Sequence, residues 1–245
     1  MKPKIFGIIG NPVTHSFSPD YFNGKFKHLK FPFEYKRFAL DDISEVEGIF
    51  QHEKNLVGLN VTSPFKQSII PYLSDCDLQA KTLNAVNTIH IAKHGRNGYN
   101  TDIIGFEATL DSLKLKNDKC LVLGTGGAAS AIIYVLNKRN HQFVQVSRNA
   151  DKAQIKYHQI DYHILTEYPV IINTTPLGMA HNRGTKPNLP YSIIGPKNIL
   201  IDLVYAPRVS SFLYEGLRRG ARIKNGYEML VSQAEASWKI WTNGM

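Results

Sequence analysis

The chain has 245 residues, of which 43% are apolar, and it carries a formal net charge of +9 at pH 7 with a pI of about 9.4. Its length predicts one large globular domain or two smaller ones, and its scattered Lys and Arg lack the runs typical of nucleic-acid binding. No uncharged stretch is long enough to span a membrane, and the two cysteines, Cys76 and Cys120, exclude a disulfide framework. The basic start precedes an apolar segment too short for a signal-peptide core, so we expect a cytoplasmic protein with neither a nucleic-acid nor a membrane partner.

Strand and helix signals alternate from residue 4 to residue 62, which predicts an α/β lobe with a parallel sheet. We predict strands over residues 4–9, 33–38 and 56–62, and helices over residues 19–29, 41–50 and 77–83. Residues 86–92 and 97–100 flank His94-Gly95-Arg96 and predict a β-hairpin. Apolar residues at helical spacing over 103–113 predict a connector helix, and a second lobe follows it.

Two loops that leave predicted strands carry polar side chains suited to a small anionic ligand. Residues 10–19 present the hydroxyls of Ser16 and Ser18 at a helix start, where hydroxyl and N–H groups can bind a carboxylate. The alternative is that Ser18 only caps the helix ahead of Pro19. Lys66 follows the strand of residues 56–62, at the sheet edge where open α/β folds bind ligands, although a lone Lys is more often a surface residue.

Asn87 and Asp102 stand at the ends of the elements that flank the hairpin. Asp102 could serve as the N-cap of the connector helix and still face a cleft. A carboxylate near the Lys66 ammonium would orient it, and a desolvated site would bring the pKa of the lysine toward the working pH. Spacing alone does not establish this contact.

The segment Leu121-Val122-Leu123-Gly124-Thr125-Gly126-Gly127-Ala128-Ala129 is typical of a dinucleotide-binding turn between a strand and a helix. Residues 142–146 predict the next strand, which completes a βαβ unit. Ser147, Arg148 and Lys152 follow that strand, and two cations there suit a 2′-phosphate, so NADP is favoured over NAD. The alternatives are that both cations are ordinary solvated charges, and that the nearby Asp151 binds the ribose of NAD.

The rest of the chain predicts strands over residues 170–173, 198–202 and 221–224, and helices over residues 209–218 and 227–241. The exits of the first two strands, which carry Thr174 and Tyr205, could line the nicotinamide. Nine histidines show no metal-ligand spacing, so no metal is expected.

Seven motifs in order make the chain resemble the shikimate dehydrogenase family over nearly its whole length. They are Gly10-Asn11-Pro12 with His15-Ser16-Phe17-Ser18-Pro19, Asn60-Val61-Thr62 with Pro64-Phe65-Lys66, Ala85-Val86-Asn87-Thr88, Asn100-Thr101-Asp102, Gly124-Thr125-Gly126-Gly127-Ala128, Asn173-Thr174-Thr175-Pro176-Leu177-Gly178-Met179, and Gly226-Tyr227-Glu228-Met229-Leu230-Val231-Ser232-Gln233-Ala234.

The resemblance implies a two-lobed α/β protein, with a substrate domain of residues 1–103 completed by residues 225–245, and a Rossmann-type NADP-binding domain of residues 104–224. It implies the reversible NADPH-dependent reduction of 3-dehydroshikimate to shikimate, a step toward chorismate and the aromatic amino acids. Small-molecule substrates are the expected partners, and the protein is expected to be a monomer or a homodimer.

By the same resemblance, Ser16 and Ser18 would hold the substrate carboxylate, and Thr62, Asn87, Tyr205 and Gln233 would complete the substrate site. Lys66 would be the acid/base residue, or the cation that stabilises charge on the reacting oxygen, with Asp102 beside it. The cofactor site would comprise Gly124, Gly126, Gly127, Ala128, Ser147, Arg148, Lys152, Thr174 and Gly226.

Four residues depart from the common family pattern without removing a proposed catalytic group: Ile103, Thr125, Asn149 and Lys152. Three other interpretations remain open: a quinate or dual-specificity dehydrogenase, a catalytically silent sensor of shikimate or dinucleotide, and a nucleic-acid-binding protein that uses its basic surface.

Overall fold

The computed structural model describes residues 3–149, 153–179 and 182–243. The chain divides into two compact units, Met1–Thr101 together with Ala234–Met245, and Asp102–Gln233. Each unit contains one six-stranded sheet with helices, which confirms the predicted α/β class. The functional roles and the ranges predicted for the two domains stay predictions.

The first unit is built from the first six strands and three helices of the chain. They are β1 (Lys4–Gly10), α1 (Ser18–His28), β2 (Phe33–Ala39), α2 (Val46–His52), β3 (Leu56–Val61), β4 (Asp75–Cys76), α3 (Leu78–Leu83), β5 (Thr88–Ala92) and β6 (Gly95–Tyr99). The sheet order is β2-β1-β3-β5-β6-β4.

The sheet of the first unit is mixed, and it confirms both the parallel pairing predicted for the strands of residues 4–62 and the hairpin predicted for residues 86–92 and 97–100. Strand β1 pairs in parallel with β2 and β3, whereas β5 pairs antiparallel with β3 and with β6. The reason lies in the segment between β3 and β5, which returns to the sheet edge that it left. The Val61 N–H donates to the Asn87 carbonyl at 2.9 Å, so the end of β3 lies beside the start of β5.

The predicted helix of residues 41–50 begins later than expected. The Asp42 carboxylate accepts a hydrogen bond from the Ser44 N–H at 2.8 Å, and a 3-10 turn, Ile43–Glu45, comes before α2. The side-chain cap therefore fixes the helix start, as is usual for Asp.

The last helix, α8 (Tyr227–Thr242), contributes its residues from Ala234 onward to the first unit. Trp241 is fully buried there, with its ring centroid 5.2 Å from those of Phe6 and Phe22. Its indole N–H donates to the Ile89 carbonyl at 2.9 Å. An added Cβ at Gly58 would lie 2.2 Å from the indole nitrogen, so a glycine in β3 is what admits this ring.

The described residues of the second unit contain ten strands and α-helices, together with the first part of α8. They are α4 (Asp102–Leu113), β7 (Cys120–Leu123), α5 (Gly127–Lys138), β8 (Phe143–Ser147), β9 (Ile155–Lys156), α6 (Tyr162–Glu167), β10 (Val170–Asn173), β11 (Ile199–Asp202), α7 (Ser211–Leu217) and β12 (Arg222–Lys224).

The second sheet has the order β12-β11-β10-β7-β8-β9, and every pair is parallel. Strands β7, β10 and β11 are buried along their whole length, as expected of a sheet covered on both faces. The strand order reverses at β7, which lies between β8 and β10. Open α/β sheets bind ligands at such a reversal, beyond the carboxyl ends of the strands.

Across the described parts of the chain, each helix is too short or too polar to cross a bilayer.

Candidate active site

Two polar loops meet at one edge of the first sheet. Strands β1 and β3 are parallel, with Ile9 opposite Val61, so the chain leaves both at the same edge. The Thr62 N–H donates to the Ile9 carbonyl at 2.9 Å, and the Asn11 N–H donates to the Ser63 carbonyl at 3.1 Å. The loop that leads to Ser16 and Ser18 therefore lies beside the loop that carries Thr62 and Lys66.

Ser18 is buried and takes part in a hydrogen-bond chain. It is the first residue of α1, and the N-cap position, Phe17, makes no side-chain cap bond, so the interpretation of Ser18 as a simple cap is wrong. Its hydroxyl hydrogen bonds to the Tyr35 hydroxyl, which donates to Asn60 Oδ1 at 2.7 Å. Burial raises the pKa of Tyr35 well above its ordinary value, and the weaker effect of the Ser18 hydrogen bond lowers it, so Tyr35 remains a neutral phenol at pH 7.

Asn87 and Lys66 lie at the same edge as these loops. The Val86 N–H donates to the Lys66 carbonyl at 2.7 Å, and Asn87 pairs through its backbone with Val61. Asn87 is buried, and its Oδ1 accepts from the Thr101 N–H at 2.7 Å. The structure thus brings the backbones of Thr62, Lys66 and Asn87 together, with Lys66 half-buried.

Residues that bear hydroxyl, amide and ammonium groups thus lie along one edge of the first unit, a set suited to a ligand that carries hydroxyl and carboxylate groups. Asp102, Tyr205 and Gln233 belong to the second unit, where Asp102 is the first residue of α4 and all three are half-buried. Burial raises the pKa of Tyr205. The pairing of Lys66 with Asp102 stays a prediction.

The glycine turn between β7 and α5 has the features that a pyrophosphate requires. Gly124 has a φ of 113°, and a Cβ there would lie 2.7 Å from Thr174 Oγ1. Gly126 is the N-cap of α5 and provides no capping side chain. Added Cβ atoms at Gly126 and Gly127 would meet nothing within 4 Å, so space is open above the helix start. The first N–H groups of a helix, including that of Ala128, lack intrahelical acceptors and favour an anion. These residues therefore fit a dinucleotide.

Two of the residues assigned to the cofactor site also join neighbouring segments. The Thr174 hydroxyl donates to the Leu123 carbonyl at 2.7 Å, so this proton ties the exit of β10 to the glycine turn. Thr174 is half-buried, and its hydroxyl oxygen can still accept a hydrogen bond. A Cβ at Gly226 would lie 2.2 Å from the Leu203 carbonyl oxygen, so a glycine is needed beside the loop that leads to Tyr205.

A buried carboxylate, which the sequence analysis missed, organises the exits of β10 and β11. Asp202 Oδ1 accepts from Asn173 Nδ2 at 2.9 Å and from the Val204 N–H at 3.0 Å, and Oδ2 accepts from the Ser210 hydroxyl at 2.5 Å. Burial raises the pKa of Asp202 to about 6, against the three hydrogen bonds, which lower it.

The turn after β8 carries the cation predicted to bind a 2′-phosphate. Ser147 is buried, and its hydroxyl accepts from the Asn149 N–H at 3.1 Å, while Arg148 is exposed. The Arg148 charge lowers the pKa of Tyr157, although burial has the larger effect and raises it. Lys152, like Asp151, lies outside the described residues.

Three comparisons with known proteins agree. A family model of the shikimate dehydrogenase substrate binding domain matches residues 8–89. The shikimate dehydrogenase (NADP(+)) of Methanococcus maripaludis is 36% identical over 98% of this chain and 92% of its own length. The shikimate dehydrogenase (NADP(+)) of Clostridium botulinum is 36% identical over 96% of this chain and 95% of its own length. This chain belongs to the shikimate dehydrogenase family.

A shikimate dehydrogenase solved in complex with NADP+ matches the fold with a TM-score of 0.89 at 31% identity, covering 99% of this chain and 91% of that one. Membership of the shikimate dehydrogenase family confirms the resemblance on which the sequence analysis relied. The roles given to individual residues remain predictions, because similarity over the whole chain does not test them.

No metal was expected at this shikimate dehydrogenase site. Within residues 3–149, 153–179 and 182–243, no three His, Cys, Asp or Glu side chains are grouped so as to hold a metal ion.

Proposed function

We propose that this protein is an NADP-dependent shikimate dehydrogenase, which interconverts 3-dehydroshikimate and shikimate. The observation that carries the proposal is the polar edge of the first sheet, where Thr62, Lys66 and Asn87 adjoin the loop of Ser16 and Ser18. Relatives that are 36% identical over nearly the whole chain bear the same name.

The substrate is a ring with one carboxylate and several hydroxyls, and each group has a suitable partner on this chain. Ser16 donates to the carboxylate, and Ser18 joins it when ligand binding turns its proton from Tyr35 to the carboxylate. Thr62, Asn87, Gln233 and Tyr205 bind around the ring, since amides and hydroxyls can both donate and accept. Buried donors and acceptors of this kind discriminate between substrates because an unmatched group is costly.

Lys66 is the residue that we assign to the reacting oxygen. NADPH, when bound, would supply the hydride that the carbonyl carbon of 3-dehydroshikimate accepts. Negative charge then develops on the carbonyl oxygen, where the Lys66 ammonium stabilises it and gives up one proton, so that the ketone becomes an alcohol. Asp102 orients the ammonium, and in the reverse direction the neutral amine accepts the hydroxyl proton.

The cofactor binds to the second unit. The N–H groups at the start of α5 receive the pyrophosphate above Gly126 and Gly127. Arg148, with Ser147 and Lys152, holds the 2′-phosphate that distinguishes NADP from NAD. The open space at both glycines and the exposed guanidinium of Arg148 support this assignment.

The test is the absorbance of the nicotinamide while purified protein oxidises shikimate with NADP, run beside NAD and quinate. Turnover that prefers shikimate and NADP supports the proposal. Preference for quinate would change the substrate assignment, and ligand binding without turnover would favour a sensor.

Lys66→Ala tests the chemical role within this assay. We expect the turnover rate to fall by about two to four orders of magnitude, because the group that transfers the proton is lost. The dissociation constant of NADP should stay within about twofold of the wild-type value. Lys93→Ala is the matched control, since Lys93 is exposed between β5 and β6. Equal loss of turnover and NADP affinity would contradict the role of Lys66.

Arg148→Ala tests the cofactor preference. Hydrogen bonds to a charged group are worth about 1.5–3 kcal/mol, so NADP should bind about 10- to 150-fold more weakly while the affinity for NAD changes little. The same loss for both dinucleotides would show that Arg148 does not bind the 2′-phosphate.

We also propose that the protein acts in the reducing cytoplasm, as a monomer or a homodimer, without a nucleic-acid or membrane partner. Cys76 and Cys120 are buried free thiols, and burial raises the pKa of Cys120 to about 12, which disfavours the reactive thiolate. Light scattering gives the oligomeric state, and retention on heparin that persists at 0.5 M salt would contradict the absence of a nucleic-acid partner.

A further inference from the structure

A buried serine of the last helix lies at the centre of a hydrogen-bond network behind the polar edge. Ser237 is fully buried. Its hydroxyl lies 2.7 Å from Thr88 Oγ1, 3.1 Å from Asn60 Nδ2 and 3.3 Å from Thr101 Oγ1. All these residues belong to the first unit, and none of them was assigned a role from the sequence.

The directions of these hydrogen bonds are determined by groups that can only donate or only accept. The atom of Asn87 that accepts the Thr101 N–H at 2.7 Å must be Oδ1. The same oxygen lies 3.1 Å from the hydroxyls of Thr88 and Thr101, so both hydroxyls give it their protons. Each of them can then only accept from Ser237.

The other side of the network is directed in the same way. The Asn60 atom that donates to the Asn87 carbonyl at 3.2 Å must be Nδ2, so Asn60 also donates to Ser237. Ser237 therefore accepts from Asn60 and hydrogen bonds to Thr88, the nearer of the two threonines. The result is a chain of hydrogen bonds from Asn60 through Ser237 and Thr88 to Asn87 Oδ1.

Glu235 and Trp241, on either side of Ser237, anchor this part of α8 to the first unit. Glu235 pairs with Lys25 and accepts from the Tyr21 hydroxyl, both on α1. Trp241 is bound to the Ile89 carbonyl at 2.9 Å. The serine hydroxyl thus meets the network from a helix that is anchored to the same sheet.

We infer that Ser237 is a positioning residue for the dehydrogenase reaction: through Thr88 it adds to the Thr101 N–H a second restraint that keeps the Asn87 amide in place, with Oδ1 toward the network. The inference rests on the proposed function, because Asn87 is assigned there to the substrate ring. A flipped amide would present the wrong hydrogen-bonding group to a ring hydroxyl.

The test compares Ser237→Ala with Thr242→Val. Thr242 is on the same helix, but its hydroxyl donates to the Trp238 carbonyl at 2.8 Å and takes no part in this network. Loss of one neutral hydrogen bond corresponds to about a fivefold change in binding. We expect Ser237→Ala to raise the KM for shikimate and its calorimetric dissociation constant about fivefold, with kcat and NADP affinity changed less than twofold. Thr242→Val should change none of them.

A double-mutant cycle separates positioning from general stability. If Ser237 acts through Asn87, Ser237→Ala should raise the KM less than about twofold when Asn87→Ala is already present. Ser237→Cys keeps the side-chain volume with a weak donor, and it replaces the alanine variant if that variant does not fold.

Two results would overturn the inference and leave the proposed function intact. One is that Ser237→Ala lowers the melting temperature without changing the KM. The other is that the effects of Ser237→Ala and Asn87→Ala on the KM multiply in the double variant. Absence of both shikimate binding and turnover in the wild type would overturn the two together.

Discussion

Asp202 gives a pH dependence of stability whose sign and size can be worked out from the structure. Its pKa is raised from an ordinary value of 3.8 to about 6, because the carboxylate is fully buried. Between these values the folded chain holds a proton that the unfolded chain has lost. The free energy of unfolding therefore falls as the pH rises through this window.

The size of the effect follows from about 1.4 kcal/mol for each pKa unit, which gives a loss of about 3 kcal/mol once both states are ionised. Most of this loss should occur between pH 4 and pH 7. Asp202→Asn removes the titration but keeps an oxygen that can accept from Asn173 Nδ2 and from the Val204 N–H. The free energy of unfolding of the variant, measured relative to that of the wild type, should therefore rise by about 2–3 kcal/mol between pH 4 and pH 7.

The assay is urea denaturation of both proteins at pH 4, 5, 6 and 7, because the other titrating groups cancel in the difference between them. Ser210→Ala is a useful second variant. It removes the hydroxyl bond that lowers the pKa of Asp202, so the pH range over which the free energy of unfolding falls should move to higher pH. The substitution should also lower the free energy of unfolding by about 1 kcal/mol at every pH, because Ser210 caps α7. A difference between wild type and Asp202→Asn that is constant with pH would refute the reasoning.

Three glycine substitutions separate binding from stability. Gly126→Ala should keep the wild-type melting temperature, since nothing lies within 4 Å of the new Cβ. It should weaken NADP binding about tenfold or more, because the methyl group fills the space above the start of α5. Unchanged NADP affinity in calorimetry would contradict this. Gly226→Ala should lower the free energy of unfolding by about 2 kcal/mol through its approach to Leu203, and a fully stable variant would show that the backbone yields. Gly24→Ala, inside α1 and facing open space, should raise the free energy of unfolding by about 0.5–1 kcal/mol, and no gain in urea denaturation would count against this reasoning.

The buried strands were the most predictable part of the fold. Strands β1, β3, β7, β10 and β11 lie within one or two residues of their predicted bounds. A strand covered on both faces is a continuous apolar run, so its sequence alone identifies it.

Short elements held by distant partners were missed. Strands β4 and β9 have two residues each and exist because Cys76 pairs with Gly98 and Ser147 with Lys156. Two residues carry no periodicity. Helix α6 had a readable signal, since the Asp161 carboxylate accepts from the Ile164 N–H at 3.0 Å, as an N-cap does.

The site was predicted from loops and motifs, but the side chains behind it were not. Asn60 bonds Tyr35, 25 positions away, and Ser237, 177 positions away. A polar residue within an apolar strand was the available signal at Asn60, yet its partners become apparent only when the sheet and α8 are assembled.

The return of α8 to the first sheet also sets an order of events during synthesis. The ribosome makes residues 1–101 first, then the 132 residues of the second unit, and only then Trp241, which fills the space between Phe6 and Phe22. At about 5–20 residues per second this interval is on the order of ten seconds. For that time the aromatic cluster around Phe6 and Phe22 lacks both Trp238 and Trp241, so the second unit can complete its own fold before the first one closes.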